Sequence, residues 1–175
     1  MQNLPFTRDL NKLYITYCCA FALAIIFPVL TVVFMIVSLN SLGSPVEAAE
    51  VARVISTVLL FGLFSLVPVF AAVVFFCIML YRFWELVPKQ NRKHGLGALI
   101  GFLFIPWFNL YWNFVAIWGC GKEYNSLFGG KKENLDLFAL IICICLIFFP
   151  FISFIFLLFW LYQMKNAAII LQQNQ

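Results

Sequence analysis

Charged residues are scarce in this chain of 175 residues, because Asp, Glu, Lys and Arg make up only 10% of it and 65% is hydrophobic. A typical soluble domain is about 25% charged and about 45–50% apolar. A soluble fold of this length cannot hide so much apolar surface, since it still exposes roughly a third of the surface of its chain. The composition excludes a soluble globular domain, a disordered chain and a nucleic-acid binder with a broad basic face. It indicates an integral membrane protein.

Groups that perform chemistry are also scarce. Histidine occurs once, as His94, and the long apolar runs contain no His, Asp, Glu or Lys. Proton-coupled transporters and pumps commonly place such a group within the membrane. The sequence lacks a phosphate-binding glycine loop and a His-Glu-x-x-His zinc motif as well. We therefore expect a non-enzymatic protein with no catalytic residue, no metal and no cofactor.

Four apolar runs organise the chain, and each exceeds the roughly 20 residues that a helix needs to cross the hydrocarbon core. They cover residues 15–39, 51–81, 96–119 and 137–162. Lipid offers no partner to backbone amides and carbonyls, so we expect each run to be helical. The runs predict an all-α integral membrane fold, a four-span antiparallel helix bundle that forms a single transmembrane domain over residues 1–175.

Residues that begin or interrupt helices refine this prediction. Residues Ser44-Pro45-Val46-Glu47 form a capping box with proline at the first helical position, so the second helix is predicted to run from Pro45 to about Val87. A proline inside a helix removes a backbone hydrogen bond and favours a kink. Each run contains one, at positions 28, 68, 106 and 150.

The basic residues give the orientation. In the four-span arrangement, seven of them lie on the side of both termini: Arg8, Lys12, Arg82, Lys89, Arg92, Lys93 and Lys165. Four lie on the other side: Arg53, Lys122, Lys131 and Lys132. The excess of Lys and Arg on the cytoplasmic side of membrane proteins predicts cytoplasmic N- and C-termini. The cluster of Lys89, Arg92 and Lys93 is expected to contact anionic lipid headgroups.

The third apolar run contains two strongly polar residues. Asn109 and Asn113 lie four residues apart, so they share one face of a helix, and a buried amide needs hydrogen-bond partners. They are a candidate polar intramembrane site, either as links between helices or as the lining of a wet cavity. Gly97 and Gly101 form a Gly-x-x-x-Gly pair that allows close helix packing, within the chain or between subunits. Pro106 is a candidate hinge or packing residue.

The same residues leave a second topology open. Glycines, a mid-span proline and two asparagines also suit a re-entrant or interfacial element at 96–119, in which the chain breaks near Pro106 and returns. Three true spans would then remain, and the C-terminus would lie on the opposite side of the membrane from the N-terminus. Lys122, Lys131 and Lys132 would move to the cytoplasmic side.

A resemblance accompanies this segment. The pattern begins with Tyr81-Arg82 and a short basic loop. It continues with Phe104-Ile105-Pro106-Trp107-Phe108-Asn109-Leu110-Tyr111-Trp112, and then with Trp118 and Lys122 to Asn125. This pattern resembles a group of uncharacterised bacterial multi-span inner-membrane proteins with a Phe-Ile-Pro-x-x-Asn-Leu-Tyr-Trp-like core. It covers about residues 81–125. The resemblance implies a bacterial inner-membrane location and carries over no activity or site residue.

Three functions are weighed on these grounds. The first is a non-enzymatic membrane component, such as a small subunit, an assembly factor or a self-associating protein, with the lipid bilayer and a membrane protein or further copies as partners and no nucleic acid. The second is a channel or carrier for a small neutral or apolar solute that uses Asn109 and Asn113. The third is a lipid-modifying enzyme that uses His94 or Glu123 at the membrane interface.

Overall fold

The computed structural model describes residues 4–41, 48–128 and 134–173, and in these ranges the regular secondary structure is entirely helical. This confirms the all-α fold. The α-helices are α1 (Leu4–Asn40), α2 (Ala48–Leu86), α3 (Leu96–Gly101), α4 (Phe108–Asn113), α5 (Gly119–Leu127), α6 (Leu135–Phe148) and α7 (Pro150–Gln173). Two short 3-10 helices cover Lys89–Asn91 and Phe102–Phe104, and a π-helical turn covers Phe114–Trp118.

Three helical stretches are long and apolar enough to cross a membrane, namely Arg8–Asn40, Ala48–Leu86 and Ser153–Gln172. They support a membrane protein. The prolines of the first two runs, Pro28 and Pro68, lie inside the continuous helices α1 and α2. The second helix ends at Leu86, next to the predicted Val87, while the predicted capping box lies outside the described residues.

The third and fourth runs do not form one continuous helix each, in contrast to the prediction. The third is interrupted between Phe104 and Phe108, and the fourth at Phe149. The residue before a proline is disfavoured in the helical region, because the proline ring clashes with its backbone N–H and Cβ. Ile105 and Phe149, the residues before Pro106 and Pro150, both leave helical geometry, with φ and ψ of −84° and 116° and of −139° and 66°.

The chain divides into two compact units, Met1–Tyr14 with Phe76–Gln175, and Ile15–Phe75. The second unit pairs parts of α1 and α2, and the rings of Phe34 and Phe61 lie 5.6 Å apart. Hydroxyl groups in this unit bond within their own helix: Thr31 donates to the Phe27 carbonyl and Ser65 to the Gly62 carbonyl, at 2.9 and 2.6 Å. Such bonds let these polar side chains lie in an apolar helix at low cost.

The unit formed by Met1–Tyr14 and Phe76–Gln175 contains most of the core. Its fully buried large side chains include Met79, Leu80, Phe83, Tyr124, Trp160 and Met164. The ring of Phe83 lies edge-on to Tyr124 and to Trp160, with centroids 6.3 and 6.4 Å apart. The end of α2 therefore packs against both later parts of the chain. The expected single transmembrane domain over residues 1–175 stays a prediction.

Candidate functional site

The third apolar run folds back on itself. We call residues 96–127 hairpin A: α3 and the following 3-10 turn form its first arm, residues 105–107 its apex, and the helices from Phe108 to Leu127 its second arm. The rings of Phe102 and Phe108 lie 5.6 Å apart on opposite sides of the apex. The Trp112 indole donates to the Leu99 carbonyl at 2.9 Å. Both contacts show that the arms are antiparallel.

The apex of hairpin A is a tight turn centred on Trp107. This residue has φ of 64° and ψ of −44°, and it is the one non-glycine residue of the described chain with positive φ. The Phe108 amide donates to the Pro106 carbonyl at 2.7 Å. A three-residue turn with this hydrogen bond and this sign of φ is a γ-turn of the strained kind. Strain at this position is the result of reversing the chain within three residues.

Trp112 holds the two arms of hairpin A together. Its side chain is buried, and its ring contacts the rings of Phe102, Phe108 and His94 at centroid distances of 4.8, 5.3 and 5.1 Å. Leu99 belongs to the last four residues of α3, whose carbonyls lack partners from the regular pattern of the helix. The indole N–H therefore satisfies a carbonyl at a helix end while the ring fills the space between the arms.

The fourth run forms a second hairpin. We call residues 135–173 hairpin B: α6 and α7 are its arms and Phe149 its apex. The Trp160 indole donates to the Leu135 carbonyl at 3.2 Å, and the rings of Phe138 and Phe159 lie 5.6 Å apart. Proline is favoured at the first position of a helix, where its missing N–H has no partner to lose. The sequence Phe149-Pro150 therefore ends one arm and begins the other.

The two hairpins pack side by side with their apices at the same end. Near the open ends, α5 and α6 approach closely at Gly121, where an added Cβ would lie 2.7 Å from the Leu135 carbonyl oxygen. Nearer the apices, the Cys143 thiol donates to the Asn113 carbonyl at 3.4 Å. Residue numbers fall along one arm as they rise along the other, so both apices lie beyond Asn113 and Cys143.

The open ends of both hairpins meet the end of α2. The Trp84 indole donates to the Ala116 carbonyl at 2.9 Å, inside the π-helical turn, and the Tyr124 phenol donates to the Phe83 carbonyl at 3.0 Å. Burial raises the pKa of the Tyr124 phenol well above its ordinary value of 10.0, and the neighbouring Cys120 raises it further. Tyr124 is thereby kept protonated and able to donate.

The predicted polar pair lies in α4, near the apex of hairpin A. Asn109 and Asn113 are both half-buried and share one face of this helix, as expected from their spacing. The side-chain oxygen of Asn109 is buried and has no hydrogen-bond partner among the described residues. The amides therefore stay a candidate polar site.

The glycine pair does not mediate close packing within the described chain. Gly97 and Gly101 are exposed, and a Cβ added at either would meet no described atom within 4 Å. Their packing role between subunits stays a prediction. Pro106 lies at the apex of hairpin A, which gives it a structural role as a helix breaker.

The basic cluster follows α2. Lys89 and Lys93 are exposed, whereas Arg92 is half-buried and its Nε atom has no partner among the described residues. Arg82 and Glu85, three residues apart in α2, form the one salt bridge of the described chain, at 3.0 Å. Lys89 and Lys93 are therefore free of acidic partners there, as contact with anionic lipid would require. That contact stays a prediction.

The residues proposed for interfacial chemistry are not brought into a recognisable catalytic group. His94 is exposed and its ring packs against Trp112, while Glu123 is half-buried in α5. Among the described residues no three His, Cys, Asp or Glu side chains lie close enough to hold a metal ion.

Sequence reasoning missed a groove along α7. Its volume is about 430 Å³, and it is lined by Leu135, Phe159, Tyr162, Gln163, Asn166, Ala167 and Ile170. The side-chain oxygen of Gln163 is buried and has no partner among the described residues. Beside it, the Lys165 ammonium lies 4.9 and 4.7 Å from the ring centroids of Tyr14 and Tyr162. The one available signal was the spacing of Gln163 and Asn166 by three residues at the end of an apolar run.

The chain matches no protein-family model, no curated protein and no solved structure. The resemblance seen over residues 81–125 therefore stays an expectation. The functional argument rests on the geometry of the hairpins and on the surfaces that they and the long helices present.

Proposed function

We propose that the protein is a non-enzymatic integral membrane component that associates with another membrane protein or with further copies of itself. The observation that supports it is the exposure of its long helices. Only 6% of the most apolar window of α1, and 17% of that of α2, is buried within the chain. Apolar surface of this extent requires lipid or protein contact. A small subunit, an assembly factor or a self-associating protein each fits this description.

The interior supports the same proposal. Four buried aromatic side chains, those of Trp84, Trp112, Tyr124 and Trp160, direct their polar atoms to backbone carbonyls of another segment. A buried polar group must be paired or it destabilises the fold. The polar atoms of these four side chains are all used in hydrogen bonds that hold segments together, as in a rigid scaffold.

The location follows from composition and charge. We infer that the protein lies in a bacterial inner membrane, in keeping with the resemblance, with both termini in the cytoplasm. Of the two topologies considered, the interruption at residues 105–107 favours a re-entrant element at 96–119 over an uninterrupted four-span bundle. Three remaining spans would place the termini on opposite sides, so both termini lie in the cytoplasm only if the fourth run also returns without crossing. The positive-inside tendency then places Lys122 with the cytoplasmic residues.

Extraction in mild detergent followed by mass measurement tests the proposed association. We expect a particle larger than one chain with its detergent, composed of several copies or of this chain and a partner. Replacement of both Gly97 and Gly101 by Leu tests whether the exposed face of α3 contributes. Gly95→Leu is the control, because Gly95 precedes α3 and a Cβ there also meets open space. A strictly monomeric particle without a co-purifying protein would contradict the proposal.

A second candidate function is a channel or carrier for a small neutral or apolar solute. The observation that favours it is the unpartnered, buried side-chain oxygen of Asn109 in the middle of an apolar run. An unpaired amide in an apolar environment is costly, so a passing solute or water would satisfy it.

Flux into liposomes tests this candidate. The double variant Asn109→Leu and Asn113→Leu is expected to abolish solute flux while the protein stays folded. Asn91→Leu, in the 3-10 turn after α2, is the control and should leave flux unchanged. If the double variant transports as well as the original chain, the two amides play no part in transport.

A further inference from the structure

We propose that hairpins A and B are both re-entrant, and that their apices dock into the acyl chains of a single leaflet from the basic side of the membrane. In this arrangement only α1 and α2 cross the bilayer, and the C-terminus returns to the side of the N-terminus. The proposal concerns how the chain contacts lipid, and it does not depend on which partner the protein binds.

The surface of the apices carries the first part of the argument. Phe104 and Trp107 of hairpin A are 60% and 87% exposed, and Phe148 and Phe149 of hairpin B are 69% and 61% exposed. Large apolar side chains with this exposure, gathered at one end of two packed hairpins, form an apolar patch that is costly in water. The backbone there is also reversed within a few residues, so the patch is a blunt end rather than a helix side.

The opposite end of the same hairpins is polar. The Asn125 amide donates to the Asp136 carboxylate at 3.1 Å, between the arms of the two hairpins, and Lys122 is exposed nearby in α5. Lys165 lies against Tyr14 and Tyr162 at the far part of α7. Aromatic rings with a cationic neighbour are typical of the headgroup region. The hairpins are therefore polar at the open ends and apolar at the apices.

The first arm of each hairpin is too short to cross the membrane, and it limits how deep the apex can lie. Helix α6 has 14 residues, which at 1.5 Å per residue is about 21 Å. The first arm of hairpin A, from Leu96 to Phe104, is shorter still. A hydrocarbon core is about 30 Å thick, so neither of these first arms crosses it. Helix α7, with 24 residues, is long enough to cross, but its Trp160 already bonds to Leu135 at the start of α6, so the residues after Trp160 extend beyond the open end of hairpin B.

The charge distribution gives the side of entry. With both hairpins re-entrant, ten of the eleven basic residues fall on one side, and only Arg53 falls on the other. The four-span arrangement divides the same residues seven to four. Lys131 and Lys132 lie outside the described residues and enter this comparison through the sequence alone. An excess of basic residues on the cytoplasmic side is the pattern that membrane insertion produces, and it is larger with both hairpins re-entrant. This excess places the apices in the cytoplasmic leaflet.

Sided labelling tests the topology of hairpin A. Ser126→Cys, Lys93→Cys and Ser41→Cys are each treated with a membrane-impermeant maleimide in vesicles of known orientation, with the unsubstituted protein as the baseline for native thiols. We expect Ser126→Cys to react from the same side as Lys93→Cys and Ser41→Cys from the opposite side. Reaction of Ser126→Cys from the side of Ser41→Cys would overturn the proposal. An epitope inserted after Ser126 gives the same readout if a cysteine variant fails to fold.

Hairpin B is tested separately by a C-terminal epitope. The epitope should be accessible from the same side as Lys93→Cys, and accessibility from the other side would show that α7 spans the bilayer, which overturns the proposal for hairpin B.

Depth is the second readout. A fluorophore attached at Phe148→Cys should be quenched by lipids that carry a nitroxide on the acyl chain and protected from iodide in water. The same fluorophore at Lys122→Cys, an exposed position at the open end, should show the reverse. Iodide quenching at Phe148→Cys equal to that at Lys122→Cys would overturn docking of the apex in lipid.

Discussion

The phenol of Tyr124 donates a hydrogen bond of 3.0 Å to the backbone carbonyl of Phe83, and the two residues lie 41 positions apart in the sequence. Phe83 is among the last four residues of α2, whose carbonyls lack partners from the regular helix pattern. This bond therefore completes the end of a long helix with a side chain from hairpin A. It also fixes where that hairpin meets α2.

Replacement of Tyr124 by Phe should lower the free energy of unfolding in detergent by about 1 kcal/mol at neutral pH, because one buried hydrogen bond is lost. Unfolding by denaturant, followed by tryptophan fluorescence, measures the change. Tyr81→Phe is the control, since Tyr81 is exposed, and it should behave like the original chain. A loss of equal size in both variants would contradict the role of this bond.

The pH dependence of the same group has a definite sign. The pKa of Tyr124 is raised in the folded state, so the phenol ionises more readily in the unfolded chain. Its contribution to stability is fully present below about pH 10, the pKa of an unperturbed tyrosine, and is lost as pH rises through the folded value. Denaturation midpoints measured from pH 8 upward should fall less steeply in Tyr124→Phe than in the original chain. Parallel curves would contradict the assignment.

Gly121 should not tolerate a side chain. An added Cβ would lie 2.7 Å from the Leu135 carbonyl oxygen and 3.0 Å from the Ala139 Cβ, so Gly121→Ala must separate α5 from α6. Overpacking of this kind costs about 1–3 kcal/mol. Gly119→Ala is the matched control, because its Cβ meets Trp84 at 3.6 Å, an ordinary contact distance. Thermal unfolding in detergent should show a lower midpoint for Gly121→Ala alone.

Trp112 should be the most sensitive tryptophan of hairpin A. Trp112→Phe removes the hydrogen bond to the Leu99 carbonyl and leaves that acceptor buried, which costs about 1–3 kcal/mol. Trp107→Phe, at a position that is 87% exposed, should change stability little. Denaturant unfolding of both variants compares them. Equal losses would show that the indole of Trp112 does not hold the arms together.

The strained turn at Trp107 gives a prediction of opposite sign. Glycine adopts positive φ without steric cost, and strain at such positions is worth about 1–3 kcal/mol. Trp107→Gly should therefore raise the free energy of unfolding in detergent by about 1 kcal/mol. Leu110→Gly, at an exposed position inside α4, should lower it by about the same amount. If both variants are destabilised alike, the turn is not strained.

The sequence predicted the elements more successfully than their continuity. Apolar length and the absence of charge identify α1 and α2, and the spacing of Asn109 and Asn113 places them on one helix face. The prolines were expected to kink four similar helices. In the structure Pro28 and Pro68 lie within continuous helices, whereas the chain reverses before Pro106 and Pro150.

The difference between these prolines has a physical basis that only the tertiary structure provides. A chain reversal leaves the carbonyls at the helix ends without hydrogen-bond partners and exposes backbone. It therefore needs contacts from side chains of other segments. In hairpin A the Trp112 indole bonds across the reversal, and in hairpin B Phe138 packs on Phe159 towards the open end of the arms. A single sequence does not show which distant side chains will pack beside each proline.

The amino-acid composition alone indicates that this protein lies in a lipid bilayer. A chain with 65% hydrophobic and 10% charged residues belongs in a bilayer, because burial within so short a chain cannot remove that surface from water. Its scarce charges, all but Arg53 placed outside the apolar runs, indicated where its ends and loops lie in the sequence. The tertiary structure decided that two of the four runs fold into hairpins with exposed aromatic apices. It did so because hydrogen bonds from Trp84, Trp112, Tyr124 and Trp160 join segments that are between 13 and 41 residues apart.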